Sequence, residues 1–197
     1  MDTVAPRTSL RPLDLPAVVA RVRRSPARLG TVRLVVVDGP AGSGKTTVAG
    51  LLSAALGAAV VHMDDLYEGW SGLGPDVWNR LRVQVLDPVG AGRPGRYQRY
   101  DWHAGDFAEW VDLPVADILV VEGVGSAARA VEARTSLRVW VEVDPGLALA
   151  RGVARDGEAM RDEWLRWGLR EREHFAADDT VSRADVLVDG SAPVLAG

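Results

Sequence analysis

The sequence predicts a three-layer α/β fold in which a roughly five-stranded parallel sheet is flanked by helices. Two observations predict this class. Five short runs rich in β-branched residues, typical of strands buried on both faces, are spread over residues 33–189. Segments with helical spacing lie between most of these runs, and alternating strands and helices give a parallel sheet with helices on both faces.

The elements follow in order along the chain. The predicted strands are RLVVVD (33–38), AAVVHMD (58–64), ADILVVEG (116–123), LRVWVEVD (137–144) and ADVLVD (184–189). The predicted helices cover residues 13–25, 45–57, 75–88, 146–156 and 158–177. Gly57 is a natural C-cap and Asp144 a natural N-cap for the helices beside them. The remaining long segment, 66–110, is rich in Gly, Pro, Trp and Arg. We expect it to be an insertion over the carboxyl edge of the sheet, within a single domain spanning 1–197.

Composition and charge narrow the classes of function. The net charge of −4 leaves no overall basic field to attract nucleic acid or anionic lipid. The chain has no cysteine, which excludes a disulfide framework, a thiolate metal site and a cysteine nucleophile. No apolar run approaches the ~20 residues that span a bilayer, and the first 16 residues lack an apolar signal core. We therefore expect a cytoplasmic protein with no nucleic-acid or membrane partner, and the oligomeric state stays open.

A phosphate-binding motif links the first predicted strand to the next helix. Residues 39–47, GPAGSGKTT, match G-x-x-x-x-G-K-[ST], the P-loop pattern. In such a loop, backbone N–H groups curve around a phosphate, and the helix N-terminus adds about half a positive charge. Lys45 is expected to reach the β- and γ-phosphates and Thr46 to ligate Mg²⁺, so ATP and Mg²⁺ are the expected cofactors. The predicted nucleotide-binding residues are Gly39, Ala41, Gly42, Ser43, Gly44, Lys45, Thr46 and Thr47.

The same motif makes the fold prediction specific: a P-loop NTPase fold. Lys45 is the only lysine among 23 Lys and Arg residues. A compact ammonium can sit between two phosphates, where a forked guanidinium is not equivalent. A GTPase switch would need a second lysine in its guanine-reading N/T-K-x-D segment, so this chain cannot be one.

Acidic residues at strand ends supply the expected metal ligand and base. Glu122 ends the hydrophobic run ILVVE, a pattern that orients Mg²⁺ or its waters beside Thr46. Asp64 and Asp65 follow the second strand, at the edge where ligands bind in such sheets. An enzyme that transfers the γ-phosphate of a bound nucleotide to a hydroxyl group needs a carboxylate to accept the proton of that hydroxyl. We predict Asp64 for this role, because Asp65 would point to the other side if the strand geometry continued.

Five segments resemble uridine kinases and related P-loop nucleoside kinases. They are HMDDLY (62–67), YDW (100–102), VVEG (120–123), RGVARDGEAMRDEW (151–164) and SRADVLV (182–188). The resemblance spans roughly residues 30–190 and implies ATP-dependent phosphorylation of a nucleoside hydroxyl, with Asp64 as general base and Tyr67 at the acceptor. It also implies an Arg-rich lid at 151–175.

We expect an arginine of this lid to contact the transferring phosphoryl group. The candidates are Arg155 and Arg161, and Arg151 is a third possibility. The predicted acceptor-binding residues are Asp65, Tyr67, Arg93, Tyr100, Trp102 and His103.

Two other functions stay open on the residues alone. The segment RPGRYQRYDWH (93–103) mixes arginines with aromatic residues and can stack a base and hold a phosphate. If it holds a phosphate, the acceptor is a nucleoside monophosphate or another phosphometabolite. The second of these functions is an ATP-sensing module that has no phosphoryl acceptor.

Overall fold

The central feature of the structure is a five-stranded parallel sheet. A computed structural model describes residues 10–193. The strand order across the sheet is β2-β5-β1-β6-β7, and β3 and β4 form a separate antiparallel hairpin. The strands are β1 (Arg33–Asp38), β2 (Ala59–His62), β3 (Gly95–Asp101), β4 (Asp106–Leu113), β5 (Ile118–Glu122), β6 (Thr135–Glu142) and β7 (Val186–Asp189).

Helices cover both faces of this sheet. They are α1 (Leu15–Arg24), α2 (Lys45–Leu56), α3 (Pro75–Leu81), α4 (Asp87–Gly90), α5 (Pro145–Asp156) and α6 (Arg161–Asp178). The alternating residues of β1 divide the core in two: Val35 and Val37 pack with α1 and α2, whereas Leu34 and Val36 pack with α3, α6 and the hairpin. The three-layer P-loop fold predicted from the sequence is therefore confirmed.

The structure corrects two predicted elements and adds a hairpin. The second strand ends at His62, because Met63–Asp65 forms a 3₁₀ turn where the prediction continued the strand to 64. The helix predicted over 75–88 runs from α3 through a π-helical segment, Arg82–Leu86, into α4. The hairpin of β3 and β4 lies largely within the predicted insertion, where no strand was expected. Its alternation is broken by an irregular register between Gln98 and Tyr100.

The topology places the P-loop at the centre of the sheet's carboxyl edge. Strand β1 lies between β5 and β6, so the loop that follows it emerges between their ends. The parallel register sets Glu122 of β5 opposite His62 of β2 and Val37 of β1. Within residues 10–193, no helix is both long and apolar enough to cross a bilayer.

Asp38, the last residue of β1, fixes the entry to the P-loop. Its side chain is fully buried and accepts hydrogen bonds from the backbone N–H groups of Gly39 (2.7 Å), Gly125 (2.9 Å) and Ala127 (2.9 Å). Burial raises the pKa of Asp38 to about 6, against the opposing effects of these donors and of Lys45. One carboxylate thus joins the P-loop to the loop after β5.

The raised pKa of Asp38 makes its contribution to stability depend on pH. The pKa of Asp38 is about 3.9 in the unfolded chain and higher in the folded protein, so folding takes up a proton at pH values between the two. The contribution of Asp38 to the free energy of unfolding therefore falls as the pH rises across that interval. The side-chain amide introduced by Asp38→Asn cannot titrate. We expect the unfolding free energy of the wild type relative to this variant to fall by about 2 kcal/mol from pH 4 to pH 7. Urea denaturation at each pH measures it, and a pH-independent difference would show that Asp38 is not a perturbed acid.

Candidate active site

A large cavity opens at the carboxyl edge of the sheet. Its volume is about 1020 Å³. Its walls come from the P-loop, the turn after β2, the tip of the β3–β4 hairpin, the end of β5, and helices α5 and α6. Ligands of open α/β sheets bind in this position. The cavity therefore unites segments that lie far apart in the sequence.

The P-loop forms one wall of this cavity. Lys45 is 7% exposed, and its Nζ donates a hydrogen bond to the carbonyl of Pro40 at 2.8 Å. Gly42 has φ of +80°, and a Cβ there would lie 2.5 Å from the carbonyl oxygen of Ala148, so no other residue fits this position. The P-loop residues that line the cavity are Ala41, Gly42, Gly44, Lys45, Thr46 and Thr47.

Two predicted nucleotide-binding residues lie behind that lining. Gly39 directs its N–H to the carboxylate of Asp38, away from the cavity. Ser43 is fully buried, and its N–H closes a turn onto the carbonyl of Pro40. Both residues shape the loop. Their direct contact with a nucleotide remains a prediction.

Thr46 and Glu122 form the candidate magnesium site. The Oγ1 of Thr46 lies 3.1 Å from Oε1 of Glu122, a carboxylate that is 5% exposed. Hydroxyl and carboxylate oxygens are the hard ligands that Mg²⁺ prefers, so this pair fits the ion. Residues 10–193 contain no cluster of three or more His, Asp or Glu side chains with metal-site spacing. Mg²⁺ would therefore keep waters and phosphate oxygens as its other ligands, as it usually does.

His62 is a neighbour of this site that the sequence did not single out. Its Nδ1 lies 2.6 Å from Oε1 of Glu122, the oxygen that also faces Thr46. The hydrogen bond with Glu122 is the main cause that raises the pKa of His62 above its ordinary value. The strand order places β2 beside β5, and that neighbour relation is invisible in the linear sequence.

Asp64 and Asp65 both line the cavity, which corrects the expectation that they face opposite sides. The 3₁₀ turn at Met63–Asp65 ends the alternation of the strand. Asp64 exposes its surface to the cavity. Loss of solvent around it raises its pKa, an effect that Glu122 increases and that Lys45 and Arg155 oppose.

Asp65 is held by the hairpin. The O–H of Tyr97 donates to Oδ2 of Asp65 at 3.2 Å, and burial raises the pKa of this carboxyl as well. The hairpin tip also carries Tyr100, Trp102 and His103 into the cavity wall. Three of the predicted acceptor-binding residues are therefore brought together by an element that was not expected.

An aromatic cluster forms another wall of the cavity. Trp70 lies at its centre, with its ring centroid 5.5 Å from that of Trp102 and 6.0 Å from those of Trp164 and Trp167. Tyr67, fully buried, meets the edge of Trp167 at 5.1 Å and donates its O–H to the carbonyl of Val124. No sequence motif assigned Trp70 a role in the site.

The predicted arginines are distributed unevenly around the cavity. Arg155 lines it, with its guanidinium held by Asp156 at 2.7 and 3.0 Å. Arg151 also lines it and donates to the carbonyl of Gly42 at 3.2 Å.

Two other predicted arginines are not part of the lining. Arg161 is exposed and pairs with Glu158 on the turn between α5 and α6. Arg93 is exposed two residues before β3 begins, at the end of the hairpin opposite its tip. The structure therefore brings Arg151 to the P-loop, places Arg155 in the cavity lining over the ring of Trp164, and leaves Arg161 and Arg93 outside the lining.

Solved structures with the same architecture are known. A possible uridine kinase from Bacillus stearothermophilus superposes with a TM-score of 0.63 at 19% identity, covering 89% of this chain and 97% of that one. A candidate fructose transport system kinase from Silicibacter sp. TM1040 gives 0.57 at 21% identity, covering 90% and 98%. No protein-family model and no curated protein matches the sequence. The likeness shows that this chain has the fold of P-loop kinases, as its sequence predicted.

Glu122 can be tested as a metal ligand without knowledge of any acceptor. In Glu122→Gln, the neutral amide oxygen is a weaker ligand, so we expect about a tenfold higher Mg²⁺ concentration for half-maximal binding of an ATP analogue. Affinity in the absence of Mg²⁺ should change little. Calorimetric titrations at stepped Mg²⁺ concentrations measure both. An unchanged Mg²⁺ requirement would remove Glu122 from the site.

Proposed function

We propose that this protein is an ATP-dependent kinase that transfers the γ-phosphate to a hydroxyl group of a small, nucleoside-like molecule. One observation carries the proposal: Lys45 of the P-loop, the Thr46–Glu122 pair and Asp64 line the same cavity as the aromatic cluster. A nucleotide-binding loop alone would not require a candidate catalytic carboxylate and an aromatic acceptor wall in the same cavity.

Each residue has a defined task in this reaction. The ammonium of Lys45 and the P-loop N–H groups stabilise charge on the phosphates, and bound Mg²⁺ would add neutralisation of that charge beside Thr46 and Glu122. Asp64 accepts the proton of the attacking hydroxyl, for which its raised pKa is favourable because a base works best near the operating pH. Arg155 can leave Asp156 and approach the transferred group when the lid closes.

The charges around the acceptor side favour an acceptor without a phosphate. Of the three arginines in the segment 93–103, only Arg99 lines the cavity. Its guanidinium is already paired with both carboxylate oxygens of Glu109, at 2.5 and 3.1 Å. Arg96 pairs with Asp112 outside the cavity, and Arg93 lies beyond the far end of the hairpin. An anionic acceptor would therefore meet carboxylates and no free cation from this segment.

The aromatic wall favours a planar group on the acceptor. Aromatic side chains that stack a base contribute about 1–3 kcal/mol each. Trp102, at the tip of the hairpin, is 40% exposed, which leaves much of its indole surface available for such a contact. A nucleoside combines a planar base with free hydroxyl groups, and it matches both the wall and the base Asp64.

A panel of acceptors tests the proposed function. Release of ADP from MgATP is followed with no acceptor, with pyrimidine and purine nucleosides, with nucleoside monophosphates and with sugars, and the product mass is measured. We expect one nucleoside to stimulate turnover strongly. Stimulation only by a nucleoside monophosphate would indicate a nucleotide kinase instead. ATP hydrolysis that does not depend on an acceptor would favour an ATP-sensing module.

The neighbouring aspartates provide a matched pair for the catalytic base. In Asp64→Asn, we expect kcat to fall at least 10²-fold with ATP affinity little changed, because only proton acceptance is removed. Asp65→Asn should act mainly on the KM of the acceptor. Because the pKa of Asp64 is raised, kcat of the wild type should decline on the acid side at a pH above the ordinary aspartate pKa. A larger loss of kcat in Asp65→Asn than in Asp64→Asn would reverse the assignment.

A further inference from the structure

Glu171 on α6 is a buried carboxylate to which the proposed phosphoryl transfer gives no task. It is 6% exposed, and its Oε2 accepts a hydrogen bond from the backbone N–H of Ala41 at 2.9 Å. Ala41 belongs to the P-loop, so this contact joins two distant parts of the chain. Burial raises the pKa of Glu171, an effect that the Ala41 donor and the charge of Lys45 oppose.

The carboxylate contacts the P-loop without lining the cavity. Ala41 lines the cavity, whereas Glu171 does not. The oxygen on the Ala41 N–H therefore does not occupy the volume that phosphates would fill. Hydrogen bonds to an ionised acceptor are roughly twice as strong as neutral ones, so this contact restrains the loop more than a backbone contact would.

The same helix carries part of the aromatic wall. Trp167, one helical turn before Glu171, lines the cavity and contacts the ring of Tyr67 at a centroid distance of 5.1 Å. Arg170, next to Glu171, donates from Nη1 to the carbonyl of Trp70 at 2.6 Å. One turn of α6 thus holds the acceptor-side wall at one end and the nucleotide loop at the other.

We propose that Glu171 is a positioning residue that couples the P-loop to the acceptor-side wall through α6. Its hydrogen bond keeps the Ala41 segment in the shape that binds a triphosphate. Nucleotide binding, by fixing that segment, in turn restrains the helix that carries Trp167. The inference rests on the nucleotide-binding half of the proposed function and needs no knowledge of the acceptor.

Nucleotide affinity gives the first test. Dissociation constants for Mg²⁺ and a non-hydrolysable ATP analogue are measured by calorimetry on variants of the full chain. We expect Glu171→Ala to bind about tenfold more weakly, in the range of losing a charged hydrogen bond. Glu171→Gln should stay within about threefold, since its carbonyl can accept the same N–H. Glu173→Ala, an exposed site on the same helix, is the matched control and should bind like the wild type.

A shorter acid guards against a folding defect in the alanine variant. Glu171→Asp keeps the charge but withdraws the carboxylate by one methylene, and we expect it to weaken binding in the same direction. Thermal unfolding of each ligand-free variant separates lost affinity from lost stability. Wild-type affinity in folded Glu171→Ala or Glu171→Asp would overturn the positioning role.

Hydrogen exchange over residues 161–178 gives the second test, with a readout that a purely structural role would not move. At saturating analogue, exchange in this helix should slow at least threefold in the wild type and in Glu171→Gln, and should not slow in Glu171→Ala. Equal slowing in all three would overturn the coupling. A wild type that binds no nucleotide would overturn both this inference and the proposed function. Normal coupling without phosphorylation of any acceptor would overturn the proposed function alone.

Discussion

The P-loop must stay curved around a phosphate while the polar groups of its own backbone remain bonded, and this constraint organises the whole site. Three side chains meet it from outside the loop. Asp38 holds the entry, Glu171 holds the outer N–H of Ala41, and Arg151 bonds the carbonyl of Gly42. These residues come from β1, α6 and α5, so the loop depends on elements separated by more than 100 residues. The phosphate-binding shape of the P-loop is therefore a property of the folded domain and not of the nine-residue motif alone.

In the proposed reaction, phosphate chemistry and acceptor recognition belong to different parts of the chain. The parallel sheet brings Thr46 and Glu122 together, because β1 and β5 are neighbours and end at the same edge. The acceptor side is built from the segment after β2, the hairpin and α6. Within the acceptor side, Trp102 joins the hairpin to the turn after β2, since its Nε1 donates to the backbone carbonyl of Asp64 at 3.0 Å. The proposed base is thereby held by the element that would also contact the acceptor.

The sequence predicted the parts of the molecule in which local pattern and tertiary position agree. The five sheet strands, the P-loop and the capping role of Asp144, which accepts from the N–H groups of Gly146 and Leu147, follow from periodicity and spacing. The hairpin did not, because its strands are rich in charged and aromatic residues and irregular in register. The pairing of His62 with Glu122 and the tether of Glu171 depend on strand order and helix docking. No linear motif carries that information.

The central claim is that residues 39–47 bind the triphosphate of a purine nucleotide together with Mg²⁺. Calorimetry of the full chain with a non-hydrolysable ATP analogue, with and without Mg²⁺, tests it most directly, and Lys45→Ala is the partner variant. The account predicts stoichiometric binding that Mg²⁺ strengthens and that loses at least 10²-fold in affinity without the ammonium of Lys45. Absence of binding by the wild type, or equal binding by Lys45→Ala, would contradict the account.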